Sequence, residues 1–186
     1  MELSEAIRTR RSVRTYTAET IRPATISRLI DAAVQAPSAV NAQPWLFTVI
    51  REKALLDRIS TESKRHMLAL IDAGSIAEGF REHLANPEFH IFYHAPALIL
   101  ISAKPEHGWA AENASLAAAH LMLAATAEGL GTCWIGFAQR WLETEAGKRA
   151  VEIGPEYHPV APIIVGHSKE AAPPVPRKAP TIHWIG

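Results

Sequence analysis

The chain has 186 residues, 48% of them hydrophobic and 20% charged, a length and composition that let one domain bury a core without disulfides or metal staples. Its 19 basic and 19 acidic residues cancel to a formal net charge of zero, which argues against nucleic acid as a partner, because phosphate-backbone binding needs an excess of Lys and Arg on one face. Cys133 is the single cysteine, so an internal disulfide and a cysteine-rich zinc site are excluded and a reducing, cytoplasmic compartment is expected.

Residues 3–9 read as a short helix with no signal-peptide character. Residues 24–35 repeat apolar positions at Ile26, Leu29, Ile30, Ala33 and Val34 with helical period, Pro23 suits the first turn, and Pro37 stops the helix. The following PSAVNAQP is rich in turn formers and predicts an exposed loop, after which WLFTVI (residues 45–50) has strand composition. Residues 53–76 are loosely helical and residues 77–94 irregular. The run ALILISA (residues 97–103) is short, continuous and apolar, as a strand buried on both faces is. A helix follows over about residues 109–128; it is alanine-dense and apolar nearly all round, which predicts enclosure by protein on every side. Its apolar stretch, residues 114–127, is too short and too interrupted by Ser115 and His120 to span a bilayer, so no membrane association is expected.

A strand at residues 132–135, a helix over 139–150 and a strand at 160–165 complete the plan. The fold class expected is α+β or α/β with a central mixed sheet. All 186 residues make one domain, with residues 168–186 a proline-rich, extended tail that runs over a surface.

The densest local charge is Arg8, Arg10, Arg11 and Arg14, interleaved with Ser12. Arginines and a serine at a helix end can surround a phosphate with charge-assisted hydrogen bonds, or they can simply complement the helix dipole in solvent. Arg177 and Lys178 form a second basic pair, and a tail that folds back would neutralise the same phosphate from a second side. Pro37, Ser38, Ala39 and Asn41 belong to a polar loop able to serve a planar heterocycle, or to act only as a connection. The segment GLGTCWIG (residues 129–136) does not match a dinucleotide-binding turn: its glycine spacing differs, and it follows a helix instead of a strand. Gly129 and Gly131 read as a helix stop and a tight turn, leaving backbone groups of Cys133, Trp134, Ile135 and Gly136 to face a ligand. No base accompanies Cys133, so it is not read as a nucleophile, and the nine histidines form no metal motif.

Taken in order, RRSVR (10–14), APSAVNAQPW (36–45), AEGLGTCWIG (127–136) and VGHSKEAAPPVPRK (165–178) resemble the nitroreductase family. The resemblance implies a three-layer α-β-α sandwich in an intertwined homodimer, with FMN at the subunit interface and the long apolar helix as dimer core. It implies that Arg10, Arg11, Ser12 and Arg177 hold the FMN phosphate and ribityl chain. Arg14 would lie at the pyrimidine edge of the ring; Pro37, Ser38, Ala39 and Asn41 would arrive from the other subunit, and Cys133, Trp134, Ile135 and Gly136 would pass along the opposite side. It further implies ping-pong hydride transfer from NADH or NADPH to a small electron-poor acceptor, with residues 53–94 as the region of a substrate lid. The family pattern is departed from at His120, where a small amide is expected. A flavin-binding storage or sensing module, a reductive dehalogenase and a non-flavin anion-binding protein are the competing readings.

Overall fold

The computed structural model of the chain describes residues 1–105 and 108–186. Four strands, β1 (Trp45–Ile50), β2 (Ala97–Ala103), β3 (Gly131–Trp134) and β4 (His158–Gly166), form one sheet in the order β1-β2-β4-β3. The expected mixed sheet is instead antiparallel at every strand pairing. Alternation of strands with helices does not encode direction, and the parallel contact is confined to an isolated bridge between Ser12 and Thr132. Around the sheet lie α1 (Leu3–Thr9), α2 (Pro23–Ala33), α3 (Lys53–Asp72), α4 (Arg81–Ala85), α5 (Ala110–Ala127), α6 (Gly136–Leu142) and α7 (Glu145–Ala150).

Three layers follow from the period of two in the central strands. Ile99 and Ile101 of β2, with Ala161 and Ile163 of β4, face Leu29 of α2 and Ala114, Ala117, Ala118 and Leu121 of α5. Leu98 and Leu100, with Ile164, face the other way, onto Leu56 and Ile59 of α3 and Ala138 and Trp141 of α6. Both strands therefore need apolar residues at consecutive positions, which is why ALILISA carries no alternation. Alanine at the α5 contact positions lets that helix approach the sheet closely. Within one chain its opposite face is open: Leu116 is 43% exposed and His120 half-buried.

The expected helix over 139–150 is two helices. Thr144 caps α7 by accepting from the Gly147 N–H at 3.1 Å, and a Cβ on Gly147 would fall 2.2 Å from the Trp141 carbonyl oxygen, so the chain breaks and turns there. α5 stops at Gly129 (φ 78), whose N–H donates to the Thr126 carbonyl while Leu130 N–H donates to that of Ala125; this paired closure is the Schellman ending that glycine allows. β4 holds Pro159 and Pro162, which lie beyond the reach of β3, where the missing N–H groups cost no ladder bond on that side. Among the described residues no helix is long and apolar enough to cross a membrane.

Candidate active site

The basic segment after α1 is an extended strip laid along β3. Arg10 N–H closes α1 on the Ala6 carbonyl (2.9 Å), and the chain then turns extended. Val13 N–H donates to Thr132 O at 2.9 Å, and the buried Tyr16 hydroxyl donates to Val13 O at 2.8 Å. Burial alternates accordingly: Val13 and Tyr16 point inward, while Ser12 and Arg14 stay exposed. Gly131 permits the approach, since a Cβ there would sit 2.7 Å from a Val13 methyl. The segment after β4 returns alongside, with Thr17 N–H donating to His167 O (2.9 Å) and Lys169 N–H to Thr15 O (3.2 Å).

The strip and the end of β3 converge on a cleft of about 280 Å³. Arg14, Cys133, Trp134, Ile135 and Gly136 line it from the expected motifs. Arg14, Ser12 and Arg10 all bear on the Cys133 thiol, so three of the five residues of RRSVR lie near this spot, Arg14 alone of them lining the cleft. Burial pushes that thiol up from its ordinary value, with the arginines and Ser12 only partly offsetting it. Cys133 is therefore a neutral, buried thiol, in keeping with its exclusion as a nucleophile. Gly136 opens α6, and a Cβ there would meet nothing within 4 Å, so the space before that helix is free for a ligand.

Other cleft residues carry no motif: Met67, Phe80, Ile91, Tyr93, Phe137 and Arg140. Phe80 meets Phe137 edge to face with centroids 5.4 Å apart. Tyr93 is half-buried beside Arg14, and burial raises its phenol above the ordinary value. The aromatic run FHIFYHAP ahead of β2 was the available signal for Tyr93; Phe80 sits in a stretch without periodicity and had none.

Arg11 is turned elsewhere. Its Nη1 donates to the carbonyls of Arg8 (2.7 Å) and Arg10 (2.8 Å), and its Nε to that of Pro173 (3.3 Å). It thus closes the end of α1 and anchors the start of the tail. Pro37, Ser38, Ala39 and Asn41 do not line the cleft of their own chain. Their loop packs on the start of α5, where Ala39 N–H donates to Asn113 Oδ1 at 2.9 Å. Val40, Asn41 and Gln43 adopt left-handed backbone angles, and Val40 is 81% exposed. Asn113, which the sequence reading missed, is buried, and its Nδ2 lacks a partner among the described residues. Arg177 and Lys178 lie exposed in the tail, which has no regular structure.

Comparison with known proteins gives the family and the fold. The chain is 30% identical over 186 residues to the Bacillus subtilis protein named as the NAD(P)H nitroreductase YodC, covering 90% of each chain. Among solved structures, a nitroreductase with bound FMN from Bacteroides fragilis superposes with a TM-score of 0.86 at 26% identity over 100% of both chains. An iodotyrosine deiodinase bound to FMN and 3-iodo-L-tyrosine shares the fold at a TM-score of 0.77 and 21% identity, again over 100% of each. The profile of the Nitroreductase family matches residues 7–167, and the chain belongs to that family.

Proposed function

We propose that this chain is an FMN-dependent oxidoreductase that takes hydride equivalents from NADH or NADPH and passes them to a small electron-poor acceptor, a nitroaromatic, a quinone or a related compound, by a ping-pong route. The observation that carries the reading is a cleft lined by Arg14 and residues 133–136, with Ser12 and Arg10 close enough to act on the Cys133 thiol at its wall. The residues present fit FMN: Arg10 and Ser12 beside the cleft for a phosphate, a largely apolar slot with Arg14 for a planar ring, and an open approach at Gly136.

In this reading Arg10, Arg11 and Ser12 hold the phosphate end, with Arg177 reaching it from the tail. Arg11 joins only by releasing part of its carbonyl contacts, so Arg10 and Ser12 bear most of that task. Bound FMN supplies the two-electron chemistry that no side chain of the cleft provides. Arg14 fixes a positive charge at the mouth of the slot and stabilises negative charge that develops there on reduction. Residues 133–136 orient the ring and Ile91, Ile135 and Met67 exclude water from its edge, so the protein contributes position and electrostatics and needs no acid-base pair. Pro37, Ser38, Ala39 and Asn41, which are remote from their own cleft, serve the partner's in a homodimer. The open face of α5 and the exposed Trp184 and Ile185 support that dimer. Residues 1–186 act as one domain in the cytoplasm, where a lone buried thiol stays reduced.

Purified protein is expected to be yellow and to bleach anaerobically with NADH or NADPH. A yellow protein indifferent to both is a flavin-binding module without turnover, and a colourless one that cannot be reconstituted with FMN sinks the assignment. Arg10→Ala and Arg177→Ala should each weaken FMN retention on gel filtration; unchanged retention in both removes the two-sided phosphate clamp.

A further inference from the structure

Away from the cleft, Asp57 of α3 meets His90 and His94 from the segment that leads into β2. One donor atom from each of the three lies within 4.8 Å of the others. His90 Nε2 and Asp57 Oδ1 are 3.2 Å apart, close to the ligand-to-ligand edge of about 3.3 Å that a tetrahedral zinc ion imposes with ligands about 2.0–2.1 Å away. The two imidazole rings lie 4.5 Å apart and only 32° from parallel. From this constellation we infer that Asp57, His90 and His94 form a binding site for a divalent transition-metal ion, with Zn2+ the fitting probe.

The backbone holds these donors in place. Tyr93 (φ 50) and His94 (φ 54) both adopt left-handed angles without being glycine, a conformation that persists where its surroundings enforce it. Here the enforcement is visible. Tyr93 N–H donates to His90 O (2.8 Å), Ala95 N–H to Phe92 O (2.9 Å) and Ile91 N–H to Ser60 Oγ of α3 (3.1 Å). Ile91 and Phe92 are fully buried. The strained pair sends Tyr93 to the first cleft and His94 to a second cavity of about 410 Å³, whose wall includes all three proposed ligands. Three protein ligands leave coordination positions for water or a small anion from that cavity, the arrangement of an open site.

The donor set selects the metal. Two imidazoles and one carboxylate favour zinc, cobalt, nickel or ferrous iron over calcium and magnesium, which prefer all-oxygen shells. Two features lower the affinity. Lys53 Nζ pairs with Asp57 Oδ2 at 2.6 Å and Arg51 shares the cavity wall, so two cations oppose a third. In the ion-free geometry Phe92 N–H donates to His90 Nδ1 at 3.2 Å, which leaves the ring proton on Nε2, facing Asp57. A cation takes that proton's place, the proton moves to Nδ1, and the long Phe92 bond is given up.

The experiment is a titration of the full chain, free of any affinity tag and stripped with chelator, with Co2+ followed by visible absorption and with Zn2+ followed by calorimetry. One ion per chain is expected, with cobalt bands of four- or five-coordinate intensity. His94→Ala and Asp57→Asn should each weaken binding about tenfold or more, and Lys53→Met, which removes the competing cation, should tighten it. His158→Ala, which alters a surface histidine elsewhere, should change nothing. His94 is exposed, so its variant should fold and settles the matter if Asp57→Asn does not. Absence of binding in the parent, or equal affinity in His94→Ala, overturns the site. The readout is binding and not turnover, so failure here leaves the reductase reading untouched and failure of that reading leaves this one standing.

Discussion

Cys133 stands at the meeting point of the cleft yet takes no chemical part, and its environment explains why. Burial disfavours the thiolate more than the neighbouring Arg14, Ser12 and Arg10 favour it. The pKa is raised in the folded protein, so thiolate is scarcer at a given pH than in a free cysteine. Alkylation by iodoacetamide at pH 8 is accordingly expected to run slower than that of cysteine in a short peptide, to accelerate only above the ordinary thiol range, and to reach the peptide rate in denaturant. A native rate equal to the peptide's would contradict the assignment of a buried neutral thiol. At this scale the arginines were legible because they cluster within a few residues of sequence. The orientation of Arg11 was not legible, because a basic side chain near a helix end looks the same whether it faces a ligand or, as here, folds back on carbonyls. Tyr93 joins Phe137 and Arg140 of α6 from a distant part of the chain, and only the packing of α6 against the turn before β2 brings them to one wall.

Between elements, the decisive contact is that of the basic strip with β3. Gly131 is buried under Val13, and an added methyl would overlap both the Cβ and the methyls of that valine at 2.7–2.8 Å. Gly131→Ala is expected to destabilise the fold by about 1–3 kcal/mol, the usual cost of overpacking, and to weaken FMN retention by displacing Ser12 and Arg14. Urea unfolding and flavin release measure the two effects; a loss of stability with full retention would uncouple the strip from the cleft. Helices and strands were legible wherever one period dominated. α2, β1, β2 and α5 emerge from the sequence within a few residues of their ends, because each has a face or a run set by burial. The division into α6 and α7 was not legible, since Thr144 and Gly147 interrupt an otherwise continuous amphipathic pattern through a cap and a backbone clash. Strand direction was equally hidden: residues 51–96 can return the chain to either end of the sheet.

For the whole molecule, the surface left open by one chain is the informative part. Leu3 and Ile7 of α1, Leu116 of α5, and Ile182, Trp184 and Ile185 of the tail are all more than two-fifths exposed. Exposed apolar side chains on α1, on α5 and at a chain end are the surface on which the proposed dimer rests. Removing residues 173–186 is expected to shift the protein toward monomer in sedimentation and to lower FMN occupancy at equal protein concentration. A truncated chain that stays dimeric and yellow would confine the tail to a passive role. The resemblance made the dimer and the exchange of the 37–41 loop an expectation, whereas composition alone showed only that the apolar helix needed cover.

The bridge between Ser12 and Thr132 has one more effect, on how the protein behaves in bulk. β3 is only four residues long and closes one side of the sheet; its outer groups are met by the strip through the Val13 to Thr132 bond. A sheet margin left bare is a template for joining another chain. The strip proposed to hold the cofactor therefore also covers that margin, so a substitution that detaches it from β3 exposes an edge to other chains and turns a question of occupancy into one of solubility.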